Sequence, residues 1–237
     1  MLRCFEREGT TASPSRVPAP DRARRRTSMP YRETEATRAA RDRRRTALIE
    51  AGVDVVAERG FAGATVQAVA TRAGLGPSSV YTYFPARADL LTAVFREIAS
   101  AELARVREAA EPRPDDAPAN AAQARVERVV GTFARRALRR RRLARALLLE
   151  PADPAVEAER TLFAREYADL FGAIVSDGVA SGELPAQDTR IVGAALVGAV
   201  ASALTGPLAP LGEDADPDRL VATILGFCLR GVLGARA

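Results

Sequence analysis

Apolar side chains recur along this chain at helical spacing, and the breaks between runs carry capping residues. Leu48, Ile49, Gly52, Val55 and Val56 share one face, which predicts a first helix from about Thr37 to Arg59. Gly60 supplies its stop, since glycine readily takes the left-handed conformation that ends helices. Thr65 suits the N-cap of a second helix carrying Val66, Val69, Ala70 and Ala73, and Gly74 closes it. Pro77 fits the first position of a third helix running to Phe84, before Pro85. A fourth is expected over about 87–110, with Leu91, Val94, Phe95 and Ile98 as its buried stripe. After the acidic, Pro-rich break at 111–120, further helices are expected at about 120–138, 140–149, 154–181, 188–205 and 216–233. Asp153-Pro154 and Asp216-Pro217 each offer a cap followed by Pro. No period-two run competes, so the expected fold is all-α with about nine helices.

The third helix is the most informative. Val80 and Phe84 share a face with Leu75 in the preceding turn, while Ser78, Ser79, Thr82 and Tyr83 project elsewhere. So short a helix is unstable alone and must be held by its neighbours with its polar side outward. That is the arrangement of a helix-turn-helix, whose second helix enters the DNA major groove. Hydroxyl and phenol groups suit that place, donating to phosphate oxygens and, for Ser and Thr, contacting base edges. A helical hairpin with an ordinary polar surface fits the same spacing.

Charge favours the nucleic-acid reading. All 35 basic residues are Arg. Residues 1–45 hold thirteen Arg against six acids, an excess of seven, whereas the whole chain carries a net charge of only +5. The basic character is therefore N-terminal and points to a polyanionic partner. Residues 1–36 are rich in Pro, Arg and Ser without periodicity and read as a disordered extension, with Met29 a plausible alternative start.

The stretch "TALIEAGVDVVAERGFAGATVQAVATRAGLGPSSVYTYFPARADLLTAVF", residues 46–95, resembles the N-terminal domain of the tetracycline-repressor (TetR) family of bacterial transcriptional regulators. "AERGF" ends helix one, "TVQAVATRAG" is helix two, "VYTYFP" lies in the recognition helix and "ARADLL" opens helix four. The resemblance implies a DNA-binding domain over 37–86 and a helical ligand-binding and dimerisation domain over 87–237. It also implies roles. Thr65 caps helix two beside phosphate, Ser78, Ser79 and Thr82 face the groove, Tyr81 and Tyr83 approach the DNA backbone, and Arg87 reaches phosphate. Arg41, Arg43, Arg44 and Arg45 add phosphate or minor-groove contacts. Gly76, Ser78 and Arg87 depart from the family's usual Ser or Thr, Gly and Lys, which bars borrowing an operator sequence.

The second half resembles the family only loosely. "IVGAALVGAVASALTG" (191–206) is apolar nearly all round, and "LVATILGFCLRGVL" (220–233) follows it. Such helices need cover on every side, which a second copy would complete. The expected dimer interface comprises Ala194, Val197, Gly198, Ala201, Leu220, Ile224 and Phe227, although a wholly intrachain core fits as well. Phe133, Leu147, Glu150, Phe163, Tyr167 and Phe171 are candidate walls of a ligand pocket. Arg139 to Arg142 read as a solvated surface or an interdomain contact. The run 191–212 lacks charge, yet its Gly and Ala content and the break at Gly206-Pro207 favour a buried helix over a membrane span.

Composition narrows the function classes. The chain has no His, two widely separated Cys, no Gly-rich phosphate loop and no metal-spaced cluster, so neither an enzyme, a metal site nor a cofactor is expected. Cys4 and Cys228 form no disulfide framework, which fits the cytosol. The expected protein is a homodimeric repressor that binds palindromic double-stranded DNA, releases it on binding a small molecule, and has no membrane partner. A DNA-binding or architectural protein without ligand control remains the alternative.

Overall fold

The computed structural model describes residues 35–209 and 216–234. The expected extension over 1–36, Glu35 and Ala36 apart, and the start at Met29 lie outside the described residues. Among the described residues the chain forms nine α-helices and no strand. They are α1 (Glu35–Gly63), α2 (Val66–Arg72), α3 (Pro77–Tyr81), α4 (Arg87–Ala110), α5 (Ala121–Arg139), α6 (Arg141–Leu148), α7 (Pro154–Ala180), α8 (Thr189–Leu208) and α9 (Pro217–Leu233).

Most element ends fall where the caps predicted them. The Asp153 and Asp216 side chains accept from the Ala155 and Asp218 N–H groups, satisfying donors the first helical turn leaves free. Two ends differ. Helix α3 stops at Tyr81, and Tyr83 and Phe84 both donate to the Val80 carbonyl in a turn that carries the chain to Pro85. Helix α8 passes through Pro207, because a proline in the last turn removes one hydrogen bond without requiring a break.

Two groups of buried side chains hold the molecule together. The first joins Leu48, Val55, Val56 and Phe61 of α1 to Val69, Val80, Phe84, Leu90, Leu91 and Phe95, and also takes in Leu143 and Ala146 of α6 and Val156 of α7. The second unites Val106, Val126, Val129, Val130, Phe171, Ile174, Leu196, Leu204 and Cys228. Helix α4 enters both groups, so it is shared between the two halves. Charged pairs fasten it to its neighbours: Arg96 donates to the buried Glu159 at 2.5 Å, and Glu102 receives Arg136. The Arg96 hydrogen bond holds the Glu159 carboxyl below the usual carboxylate range.

Helix α8 lies along α7. Gly193 permits this, since a Cβ there would collide with the Ala168 carbonyl. Among the described residues, α8 is the one helix long and apolar enough to cross a membrane, with a mean hydropathy of 1.8 in its central window. Only 28 % of that window is buried within the chain. The chain itself therefore covers one face of this helix, and the alternative of a wholly intrachain core is not met.

Candidate nucleic-acid interface and internal cavity

The α2–α3 pair is built by capping and by a few apolar anchors. Thr65 Oγ1 accepts from the Ala68 N–H at 3.1 Å, fixing the start of α2. Gly74, at φ 68°, turns the chain sharply, and the Leu75 N–H donates to the Ala70 carbonyl at 2.9 Å. Gly76 precedes α3 without a side-chain cap, and Pro77 presets the first turn. Val80 and Phe84 are buried beneath α3. Arg72 ties α2 back to α1 through Glu58 at 2.5 Å and Asp54 at 3.4 Å.

With those anchors inward, Ser78, Tyr81 and Thr82 are exposed, Tyr81 to 52 %. Ser79 and Tyr83 are half-buried, and Tyr83 packs against the first core. Tyr83 is thus partly an anchor, because the turn after Tyr81 swings its ring toward the protein. Arg41, Arg43, Arg44 and Arg45 lie exposed on the early turns of α1, so the basic arm is helical there. The Arg45 guanidinium sits 5.0 Å from the centre of the Phe84 ring, a cation–π contact that orients it beside α3. Arg87 spends one guanidinium nitrogen on the Phe61 carbonyl at 2.9 Å, tying α4 to α1 and leaving fewer donors for phosphate.

The second half contains a partly open cavity of about 250 Å³ bounded by α4, α5, α6, α7 and α8. Phe133, Leu147, Phe163, Tyr167 and Phe171 line it, as do Phe95 and Val106 of α4. Phe133 and Tyr167 meet edge to face at 5.5 Å between ring centres. The polar lining consists of Glu102, Arg136, Arg140, Arg160 and Tyr167. Arg136 Nε and Nη2 donate to Glu102 at 2.6 and 2.8 Å, a bidentate pair, and Arg140 approaches the same carboxylate at 3.6 Å. Burial, with the Glu102 carboxylate nearby, holds the Tyr167 phenol above its ordinary range, so its hydroxyl stays protonated.

Glu150 does not line this cavity. Its Oε2 accepts the Phe61 N–H at 2.9 Å, and the carboxylate packs against Gly60, where φ is 71° and a Cβ would collide with it. The reason is the turn between α6 and α7. Arg160 gathers the Leu147 and Glu150 carbonyls and the Glu157 carboxylate, and this points the Glu150 side chain at the end of α1. Arg142 adds a bond to the Glu58 carbonyl at 3.3 Å and Arg141 one to the Pro207 carbonyl, so the arginine run makes contacts to α1 and α8 as well as a solvated face.

Of the polar lining only Tyr167 is expected from the sequence; Glu102, Arg136, Arg140 and Arg160 are not. Arg136 sits in the last turn of α5 and Arg140 caps its end, but their partner Glu102 lies on α4, far away in sequence. No local pattern signals that pairing.

The expected dimer residues divide. Ala194, Gly198 and Phe227 are exposed, Phe227 to 61 %, beside Ile191 at 63 %. Leu220 is half-buried, and Val197 and Ala201 are shared with the cavity wall. Ile224 is a correction. It is buried within its own chain, because the inward stripe of α9 against α5 is Val221, Ile224, Cys228 and Val232.

Comparisons with known proteins agree with this architecture. Residues 48–94 match the family described as "Bacterial regulatory proteins, tetR family". Over 50 residues the chain is 36 % identical to the fatty acid metabolism regulator protein of Bacillus subtilis (strain 168), a match spanning 21 % of this chain and 26 % of that protein. The crystal structure of the transcriptional regulator FadR from Bacillus subtilis in complex with stearoyl-CoA superposes with a TM-score of 0.65 at 21 % identity, covering 79 % of this chain and 98 % of that one. A TetR/AcrR-family transcriptional regulator from Thermobifida fusca YX-ER1 gives 0.60 at 26 % identity, covering 82 % and 100 %.

Proposed function

We propose, from the premise that the chain belongs to the tetR family of bacterial regulatory proteins, that it is a cytosolic, homodimeric transcriptional repressor released from DNA by a small molecule. The observation that carries this reading is the division of α3: Val80 and Phe84 are buried while Ser78, Tyr81 and Thr82 stand free beside a helical row of arginines. Ser78 and Thr82 read base edges, Tyr81 and the Thr65 hydroxyl meet the DNA backbone, and Arg41, Arg43 and Arg44 neutralise phosphates. Ser79, Tyr83, Arg45 and Arg87 position this surface and add shorter-range contacts. The DNA-binding unit takes in residues 37–86, and α4 onward forms the effector and dimer half.

A second copy covers the apolar faces of α8 and α9. Ile191, Ala194, Gly198 and Phe227 are left outside by one chain, and a two-fold interface through them satisfies both copies at once. The cavity holds the effector, and the Glu150 carboxylate on the Phe61 N–H links the α6–α7 turn to the end of α1. An occupant that displaces this turn changes the relative stability of two arrangements and so the affinity for DNA. The protein carries out no chemistry of its own in this role.

A gel-shift titration of the full chain against the DNA upstream of its own coding sequence tests the reading. Specific retardation, weakened at least tenfold by Tyr81→Ala with Thr82→Ala, is expected. Unchanged binding by that double variant would place the recognition surface elsewhere.

A further inference from the structure

The cavity's polar groups are not equally engaged. Arg160 is occupied by the Leu147 and Glu150 carbonyls and the Glu157 carboxylate. Arg136 is held by both oxygens of Glu102. Among the described residues Arg140 has only the 3.6 Å approach to that carboxylate, and 54 % of its side chain remains exposed. Among the described residues no hydrogen bond engages the Tyr167 hydroxyl, which lines the same space near Glu102 and Arg136. With Arg160 neutralised by Glu157, Arg136 and Arg140 against Glu102 leave one positive charge in excess in a largely apolar chamber.

We infer that the effector is a compact apolar carboxylic acid, with Arg140 and the Tyr167 hydroxyl receiving its carboxylate. This rests on the proposal that the cavity is the effector site. A cationic ligand would meet the guanidinium excess, and Glu102, the one acceptor of matching charge, is already paired. A neutral apolar ligand would leave Arg140 unused. A carboxylate accepts from a guanidinium and a phenol at once, and such charge-assisted bonds are stronger than neutral ones. Size sets the other limit. A 250 Å³ space exceeds the roughly 150 Å³ that holds benzene and falls below the ~300–1,000 Å³ of pockets for drug-sized ligands. The apolar part therefore rests among Phe95, Phe133, Phe163 and Phe171 as a single ring or a medium-length chain.

Calorimetric titration of the full chain, free of DNA, with octanoate, 4-propylbenzoate and the amide of each tests this directly. At least one acid is expected to bind ten times more tightly than its amide, and which acid does so distinguishes chain from ring. Arg140→Gln is expected to erase that preference while the amide binds as before, and Arg140→Lys to keep part of it. Equal binding of acid and amide, tighter binding of octylamine, no binding of any acid at millimolar concentration, or an intact preference in Arg140→Gln would each overturn the inference. Because the titration contains no DNA, acid binding with no specific DNA complex would sink the repressor reading alone. Operator binding without acid preference would sink this one alone.

Discussion

The two halves of the molecule treat their polar groups in opposite ways. Around α3 the space beneath the helix is filled by Val80 and Phe84, and the hydroxyls point outward. Among α4 to α8 the space inside is left open and charged groups line it, while apolar side chains such as Ile191 and Phe227 are left outside. A filled, fixed unit suits a surface that must match a rigid duplex. A half with internal room and an uncovered apolar face suits one that takes a ligand and a second copy.

Filling in the first half is open to a direct test. Phe84→Ala removes a fully packed ring that also supports Arg45, and a loss of about 3–5 kcal/mol is expected in chemical denaturation. A loss below about 1 kcal/mol would mean that α3 is not held from beneath. The uncovered face of the second half is tested by Phe227→Asp. A fully desolvated aromatic at an interface commonly contributes about 2 kcal/mol or more. Sedimentation should therefore show dissociation at micromolar concentration, with helical content unchanged because the residue is exposed in a single chain. A dimer that survives would move the interface elsewhere.

Glu150→Ala probes the joint between the halves. It leaves the Phe61 N–H without its acceptor, at a cost of about 1–3 kcal/mol. The sharper readout is the loss of linkage: an effector should still bind but shift DNA affinity less than in the parent chain.

The smallest effect concerns the loop at 111–120. Hydrogen bonding to Arg128 holds the Asp116 carboxyl at about 2, against an ordinary 3.8. Its contribution is present above pH 3.8 and is lost as the pH falls through about 2. Asp116→Asn should lower Tm slightly at neutral pH, and the difference from the parent chain should vanish near pH 2.

Legibility in the sequence followed the range of the forces involved. Helix positions and caps depend on residues within a turn of each other, so Thr65, Asp153 and Asp216 announced boundaries, and Gly60 marked a kink three residues before the end of α1. The inward face of α3 was readable for the same reason. Glu150 was placed in the cavity wall because a glutamate after an apolar run gives no hint of a carboxyl-to-backbone bond to Phe61, 89 residues away. Ile224 was given to the interface because α9 is apolar on more than one side, and only packing against α5 decides which side is inward. The Glu102–Arg136 pair was invisible for the same reason, as its members lie on different helices 34 residues apart.

Footprinting on the DNA upstream of the chain's own coding sequence, at several salt concentrations, tests the central claim. The account predicts one protected palindrome with half-sites about 34 Å apart. It also predicts an affinity whose logarithm falls linearly with the logarithm of salt, by about 0.9 per phosphate contacted. Protection spread evenly along the fragment, at the concentration that covers unrelated DNA, would contradict it.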